Sequence, residues 1–180
     1  MIIESPQNNK IANAAKQLVE SIKNPRRRFH MTDLSKIHLR GEFDNNSTEC
    51  FYKPHGLWYG IETSWIDWCL GNQPDWIGKY IWELQVDEKN IIRIDSISDF
   101  EKFEEEFTIK NDRINLNMPL LSSNYHGLEI SQYFSSKRLS SFWYYGWDCA
   151  SGCIWNTASI LNMKLFAEFD EQKGCFLKNN

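Results

Sequence analysis

The chain has no excess of positive charge, no long apolar run and no cysteine framework. Lys and Arg number 20 against 24 Asp and Glu, a formal net charge of −4. A broad basic surface for duplex nucleic acid is therefore not expected, although local basic clusters stay open. No run is apolar enough to cross a bilayer and no N-terminal signal pattern is present, so a cytoplasmic protein is expected. The five cysteines, Cys50, Cys69, Cys149, Cys153 and Cys175, are odd in number and irregular in spacing, which argues against a disulfide scaffold. Cys149 and Cys153 could join His55 or His126, but no second ligand pair stands at zinc spacing, and no metal is expected. Cys149 also has no obvious base beside it in sequence to make a thiolate. Internal repeats and long low-complexity linkers are absent. The 180 residues suit one domain, 1–180, with its core at about 27–170.

Aromatic residues are abundant. They make up 14% of the chain and include eight Trp, within a hydrophobic share of 42%. Large rings line pockets for flat ligands and fill cores equally well. Helical spacing of Ile11, Ala14, Ala15, Leu18, Val19 and Ile22 predicts a helix over 7–23, stopped by Asn24-Pro25. Arg26 to Met31 reads as a strand in which Arg28, His30 and Thr32 share one face and Phe29 and Met31 the other. A guanidinium, an imidazole and a hydroxyl in a row can hold a phosphate and a ribose; a solvent-facing sheet edge reads the same way.

Phe51 to Tyr59 carries a turn at Lys53-Pro54-His55-Gly56 and then a short strand. Ser64 reads as an N-cap, with Asp67 as its partner, for a helix that puts Trp65, Trp68 and Cys69 on one face and ends near Gly71. Aromatic strand leading into aromatic helix can wall a slot for a planar ring, or can be ordinary packing. Lys79 to Ile94 reads as the longest strand region, turning at Asp87 to Asn90. Ser98 and Glu101 suggest a capping box for a helix to Phe107, buried through Phe100, Phe103 and Phe107, with Glu104 to Glu106 on the solvated face. Asn111 to Ser123 reads as a loop, and His126 to Ile130 as a short strand that leaves Glu129 facing outward. Lys137 and Arg138 are available to an anion. Leu161 to Phe169 alternate as a last strand, with Gln172 to Asn180 frayed. Short strands with few helices indicate an α+β fold.

Gly146 to Asn156 follows the aromatic run Phe142 to Tyr145 and holds one acid, Asp148, beside Trp147. Ala150, Ser151 and Gly152 suit a turn that lets a ligand approach, and Ile154-Trp155 the start of a strand. A lone carboxylate among rings is a candidate functional acid; the alternative is a carboxylate that caps a turn.

The order of these segments resembles the ADP-ribosyltransferase superfamily, the small toxin-like and phage-type NAD-using domains. Phe29-His30-Met31-Thr32 is similar to the family's first motif. Gly56-Leu57-Trp58-Tyr59 and the following helix resemble the second, where aromatics hold nicotinamide. Tyr80 to Asp87 with Ile91-Ile92 resembles the middle strand and turn, and Tyr125 to Ile130 with Cys153 to Asn156 the closing segment. The sequence departs from the pattern at the third motif, where Asp148 stands as the nearest acid in place of the usual Glu. Ser64 lies outside the usual Ser-Thr-Ser arrangement, and Tyr59-Gly60 stands where Ser or Thr is common.

The resemblance implies two small packed β-sheets and a few helices around a central NAD cleft. It implies NAD as substrate, Asp148 as the acid, and Arg28, His30, Thr32, Trp58, Tyr59 and Trp68 as the residues that hold the dinucleotide. Such an enzyme moves ADP-ribose to a macromolecular acceptor, protein or nucleic acid, and releases nicotinamide. The competing expectation is a non-catalytic module whose aromatic groove takes single-stranded nucleic acid or a protein partner.

Overall fold

The computed structural model describes residues 6–22, 26–39, 41–45, 53–109 and 112–179. Asn24-Pro25, Cys50 and the first residues of the Phe51–Tyr59 segment lie outside them. Among the described residues the chain runs α1 (Pro6–Ser21), β1 (Arg28–Thr32), β2 (Leu57–Ile61), α2 (Ser64–Asn72), β3 (Tyr80–Val86), β4 (Ile91–Ile94), α3 (Ile97–Phe107), β5 (Thr108–Ile109), β6 (Asp112–Leu116), α4 (Met118–Asn124), β7 (Gly127–Ile130), β8 (Ser151–Ile154), β9 (Ile160–Asp170) and β10 (Cys175–Lys178). The class is α+β, as the strand-rich pattern predicts.

Two compact units emerge. The first is Met1–His38, Tyr59–Gln85 and Asn162–Asn180; the second is Leu39–Trp58 and Val86–Leu161. In the first, strands follow the order β10-β9-β3-β1-β2, and β1 pairs antiparallel with both β2 and β3. Helix α1 contributes Ile11, Ala14, Ala15 and Leu18, all buried at the spacing of one helical face, to a core with Phe29, Ile66, Cys69, Ile81, Phe166, Ala167 and Phe169. In the second unit the order is β8-β7-β4, with β7 antiparallel to β8 and parallel to β4. Its core joins Phe100, Phe103 and Phe107 of α3 to Leu128, Ile130, Trp143, Tyr144, Trp147 and Trp155. Strands β5 and β6 form a separate two-stranded sheet.

Several local expectations change. Helix α3 is capped by Ser96, whose hydroxyl accepts from the Asp99 N–H at 3.1 Å, two residues ahead of the expected Ser98–Glu101 box. At α2 the cap position is Thr63 rather than Ser64; the Thr63 hydroxyl donates to the Asp67 carboxylate at 2.7 Å instead of taking a backbone N–H. The expected loop 111–123 holds β6 and α4, the latter started by Asn117, which accepts from the Leu120 N–H, and by Pro119 in its first turn. Strand β8 already begins at Ser151, inside the expected turn, and the expected frayed end forms β10 against β9. Among the described residues the longest strand is β9, with 11 residues.

Candidate functional site

Strand β1 sets the chemistry of the first unit. Its register pairs Arg28 with Ile61 and Leu84, His30 with Trp82, and Thr32 with Tyr80. Directly opposed residues of antiparallel strands share a face, and residues two apart along a strand do too. Arg28, His30, Thr32, Tyr59, Tyr80 and Trp82 therefore occupy one face. Arg28 and Tyr59 are buried there, whereas His30, Thr32, Tyr80 and Trp82 are half-buried. The indole Nε1 of Trp82 is buried and, among the described residues, has no hydrogen-bond partner. An unmet buried donor of this kind costs about 1–3 kcal/mol.

Tyr80 and Trp82 carry no local signal that marks them as site residues. Their alternation was visible, but only the β1–β3 register shows that they stand across from Thr32 and His30.

Trp68 lies elsewhere in the same unit. It packs against the core built on Phe29 and Ile81, which are on the other face of β1 and β3. A Cβ at Gly60, opposite Phe29, would meet the Trp65 Cβ at 2.8 Å, so α2 sits tight against that other face. Trp68 instead stacks with Trp65, ring centroids 5.2 Å apart, and both lie beside Trp76 at 5.7 and 6.2 Å. Of the two rings, Trp58 or Tyr59, expected to share a slot with Trp68, Tyr59 serves the opposite face of the sheet from Trp68.

On the Phe29 face, Arg27 grips Glu83 through two bonds of 2.7 and 2.8 Å and lies over the rings of Phe29 and Phe166. That hydrogen bonding holds the Glu83 carboxyl below its ordinary value, against the opposing effect of burial.

Trp58 and Asp148 belong to the second unit. Trp58 donates from Nε1 to the Pro54 carbonyl at 3.2 Å and meets Trp147 edge-on, centroids 4.8 Å apart. Asp148 is largely covered, with a side-chain exposure of 16%, and its two oxygens face two cations. Arg138 Nη2 stands 3.3 Å from Oδ1 and Lys53 Nζ 3.8 Å from Oδ2. Neither cation was tied to Asp148 by the sequence; Lys53 is 95 positions away, and only the folded loop brings it near.

Glu129 corrects its expectation. Strand β7 is buried on both faces, so alternation gives it no solvent side, and Glu129 is 2% exposed. Its carboxylate is 3.4 Å from Arg93, its register partner on β4. It is committed to a buried ion pair.

Cys69, Cys149 and Cys153 are buried. His126 Nδ1 and Ser159 Oγ share a 2.6 Å hydrogen bond, but Ser159 is 1% exposed, which suits a structural tie better than a nucleophile. Among the described residues, no group of three His, Cys, Asp or Glu is placed to hold a metal ion, and no helix is long and apolar enough to cross a membrane. No protein-family model, curated protein or solved structure matches the chain.

Proposed function

We propose that the chain binds NAD on the Arg28–His30–Thr32 face of β1 and transfers ADP-ribose from it to a macromolecular acceptor. The observation that carries this reading is the register that sets His30 across from Trp82, with the Trp82 indole N–H left unmet and Thr32 across from Tyr80. A nucleotide brings acceptors for the indole, the imidazole and the hydroxyl, and flat rings for the aromatic side chains. The nicotinamide ring is cationic before cleavage, so aromatic faces attract it. Tyr59, Tyr80 and Trp82 fit that role in the first unit. The resemblance gives Trp58 a like role and gives Asp148 the acid's role.

In the reaction the bond from nicotinamide nitrogen to ribose breaks and its electron pair leaves with nicotinamide. The ribose carbon gains cationic character, which a carboxylate stabilises. A nucleophile of the acceptor then bonds to that carbon and gives up its proton. Incubating the protein with labelled NAD and a cell lysate, followed by protease or nuclease digestion, tests the reading and identifies the acceptor class. Label in a macromolecule is expected. Folded protein that neither transfers label nor releases nicotinamide would sink the proposal.

A second reading has its own observation. Trp65, Trp68 and Trp76 form a ring stack in which Trp76 is 57% exposed, and Asp67 and Asp75, next to Trp68 and Trp76 in sequence, are exposed. Stacked rings are typical of a non-catalytic binding surface. The two acids would repel a phosphate backbone, so this surface suits a protein partner better than a nucleic acid. Binding that survives high salt and is lost in Trp76→Ala would favour it; salt-sensitive oligonucleotide binding would not.

A further inference from the structure

Lys53, Arg138 and Asp148 form a built cluster in the second unit. The Lys53 stem lies over Gly146, where an added Cβ would come within 3.0 Å of Cε and 3.1 Å of Cγ. Its ammonium sits 5.2 Å from the centre of the Trp58 ring. Arg138 donates from Nη1 to the Tyr133 hydroxyl at 3.2 Å and lies 5.3 Å from the Tyr145 ring centre. Two cations are thus positioned by groups other than the carboxylate between them. One negative charge faces two positive ones, which leaves the cluster one positive charge in excess. The contacts to Asp148, 3.3 and 3.8 Å, are longer than the roughly 2.7–2.9 Å of a tight charge-assisted bond. The Lys53 and Arg138 side chains are 45% and 37% exposed, so both can be reached from solvent.

We propose that this cluster is a phosphate-binding site, in which the Asp148 carboxylate draws in the two cations and screens their repulsion until a phosphate group bridges them. A phosphate offers three or more acceptor oxygens and up to two negative charges. It can take Lys53, Arg138 and the Tyr133 hydroxyl together, which a single carboxylate with two oxygens does not. The residues all lie in the second unit, so the proposal stands whether or not the chain uses NAD.

Titration calorimetry of the full chain with inorganic phosphate and with phenyl phosphate tests it. Both should bind saturably if the group itself is recognised; tighter binding of phenyl phosphate would identify a phosphoester with an aromatic body as the source. Lys53→Gln and Arg138→Gln should each weaken binding at least tenfold or abolish it. Asp148→Asn removes the competing charge and should tighten binding at least threefold. That sign separates this role from catalysis, which predicts lost turnover instead. Absence of phosphate binding in the wild-type chain, or binding unchanged in both cation variants, overturns the proposal, as does weaker binding in folded Asp148→Asn. Should Asp148→Asn fail to fold, the two cation variants, at exposed Lys53 and half-buried Arg138, decide alone.

Discussion

Trp68 and Trp82 stand on opposite faces of the first unit's sheet, and that difference can be measured. Trp82→Leu removes a ring and a donor from the His30 face and should weaken NAD binding by about 1–2 kcal/mol, read by calorimetry. Trp68→Ala should leave NAD affinity within about threefold, about 0.65 kcal/mol, while lowering the melting temperature, because it takes a ring from the α2 stack. A large loss of affinity in Trp68→Ala would mean that the ligand lies on the α2 side. If Asp148 stabilises the ribose cation, Asp148→Asn should slow nicotinamide release by about 10²-fold with little change in NAD affinity. Full activity would leave Asp148 only as the counter-ion of Lys53 and Arg138.

Glu83 supplies a prediction in pH at the same scale. Arg27 holds its folded-state pKa below the unfolded value of about 4.3. Its contribution is therefore present above that unfolded value and is lost as pH falls through the folded one. Arg27→Gln should lower stability at neutral pH by about 1.5–3 kcal/mol, the range for hydrogen bonds to a charged group. The difference between wild type and variant should shrink in melts below about pH 4. A difference that stays constant down to pH 2 would show that Arg27 acts through its packing on Phe29 and Phe166 alone.

At the scale of elements, the patterns that rest on long apolar spacing were legible. Helix α1, the Phe100–Phe103–Phe107 stripe of α3 and strand β9 follow directly from 3.6- and 2-residue periods. Caps were less so, since Ser96 and Ser98 carry the same hydroxyl and only the backbone decides which one takes the Asp99 N–H. Strand β7 defeated alternation because it is covered on both faces, which is why Glu129 was placed outside. The site was legible on β1 alone: the face of Arg28, His30 and Thr32 can be read from one strand, but its partners on β3 depend on register, which no local pattern states.

Tight backbone approaches were also hidden. A Cβ at Gly78 would lie 2.7 Å from the Thr32 carbonyl oxygen and 2.6 Å from its carbon, and backbone cannot swing aside as a side chain can. Gly78→Ala should therefore destabilise the chain by about 1–3 kcal/mol in denaturant titrations and disturb the end of β1 that bears Thr32. A variant as stable as wild type would show that this crossing is looser than the distances indicate.

For the whole molecule, the route of the chain matters more than any single contact. It enters the first unit, passes to the second, returns, leaves again and ends in the first, so the first unit is assembled from three separated segments. Its core depends on the last of them: Phe166, Ala167 and Phe169 are buried beside Phe29, Ile81 and α1. The second core contains none of these residues. A chain ending at Leu161 loses two buried Phe side chains, each worth about 1.5–3 kcal/mol of transfer free energy, together with β10 and nearly all of β9, the sheet neighbour of β3. Set against a typical total stability of about 5–15 kcal/mol, that loss, with the ladder bonds and the cavity it leaves, is enough to unfold the first unit. Amide hydrogen exchange on the shortened chain should show β1 and β3 unprotected while β7 and β8, bonded to each other, with Leu128 and Ile130 of β7 in the core of the α3 stripe, keep their protection. Equal loss of protection in β7 and β8 would show instead that the two cores fold as one cooperative unit.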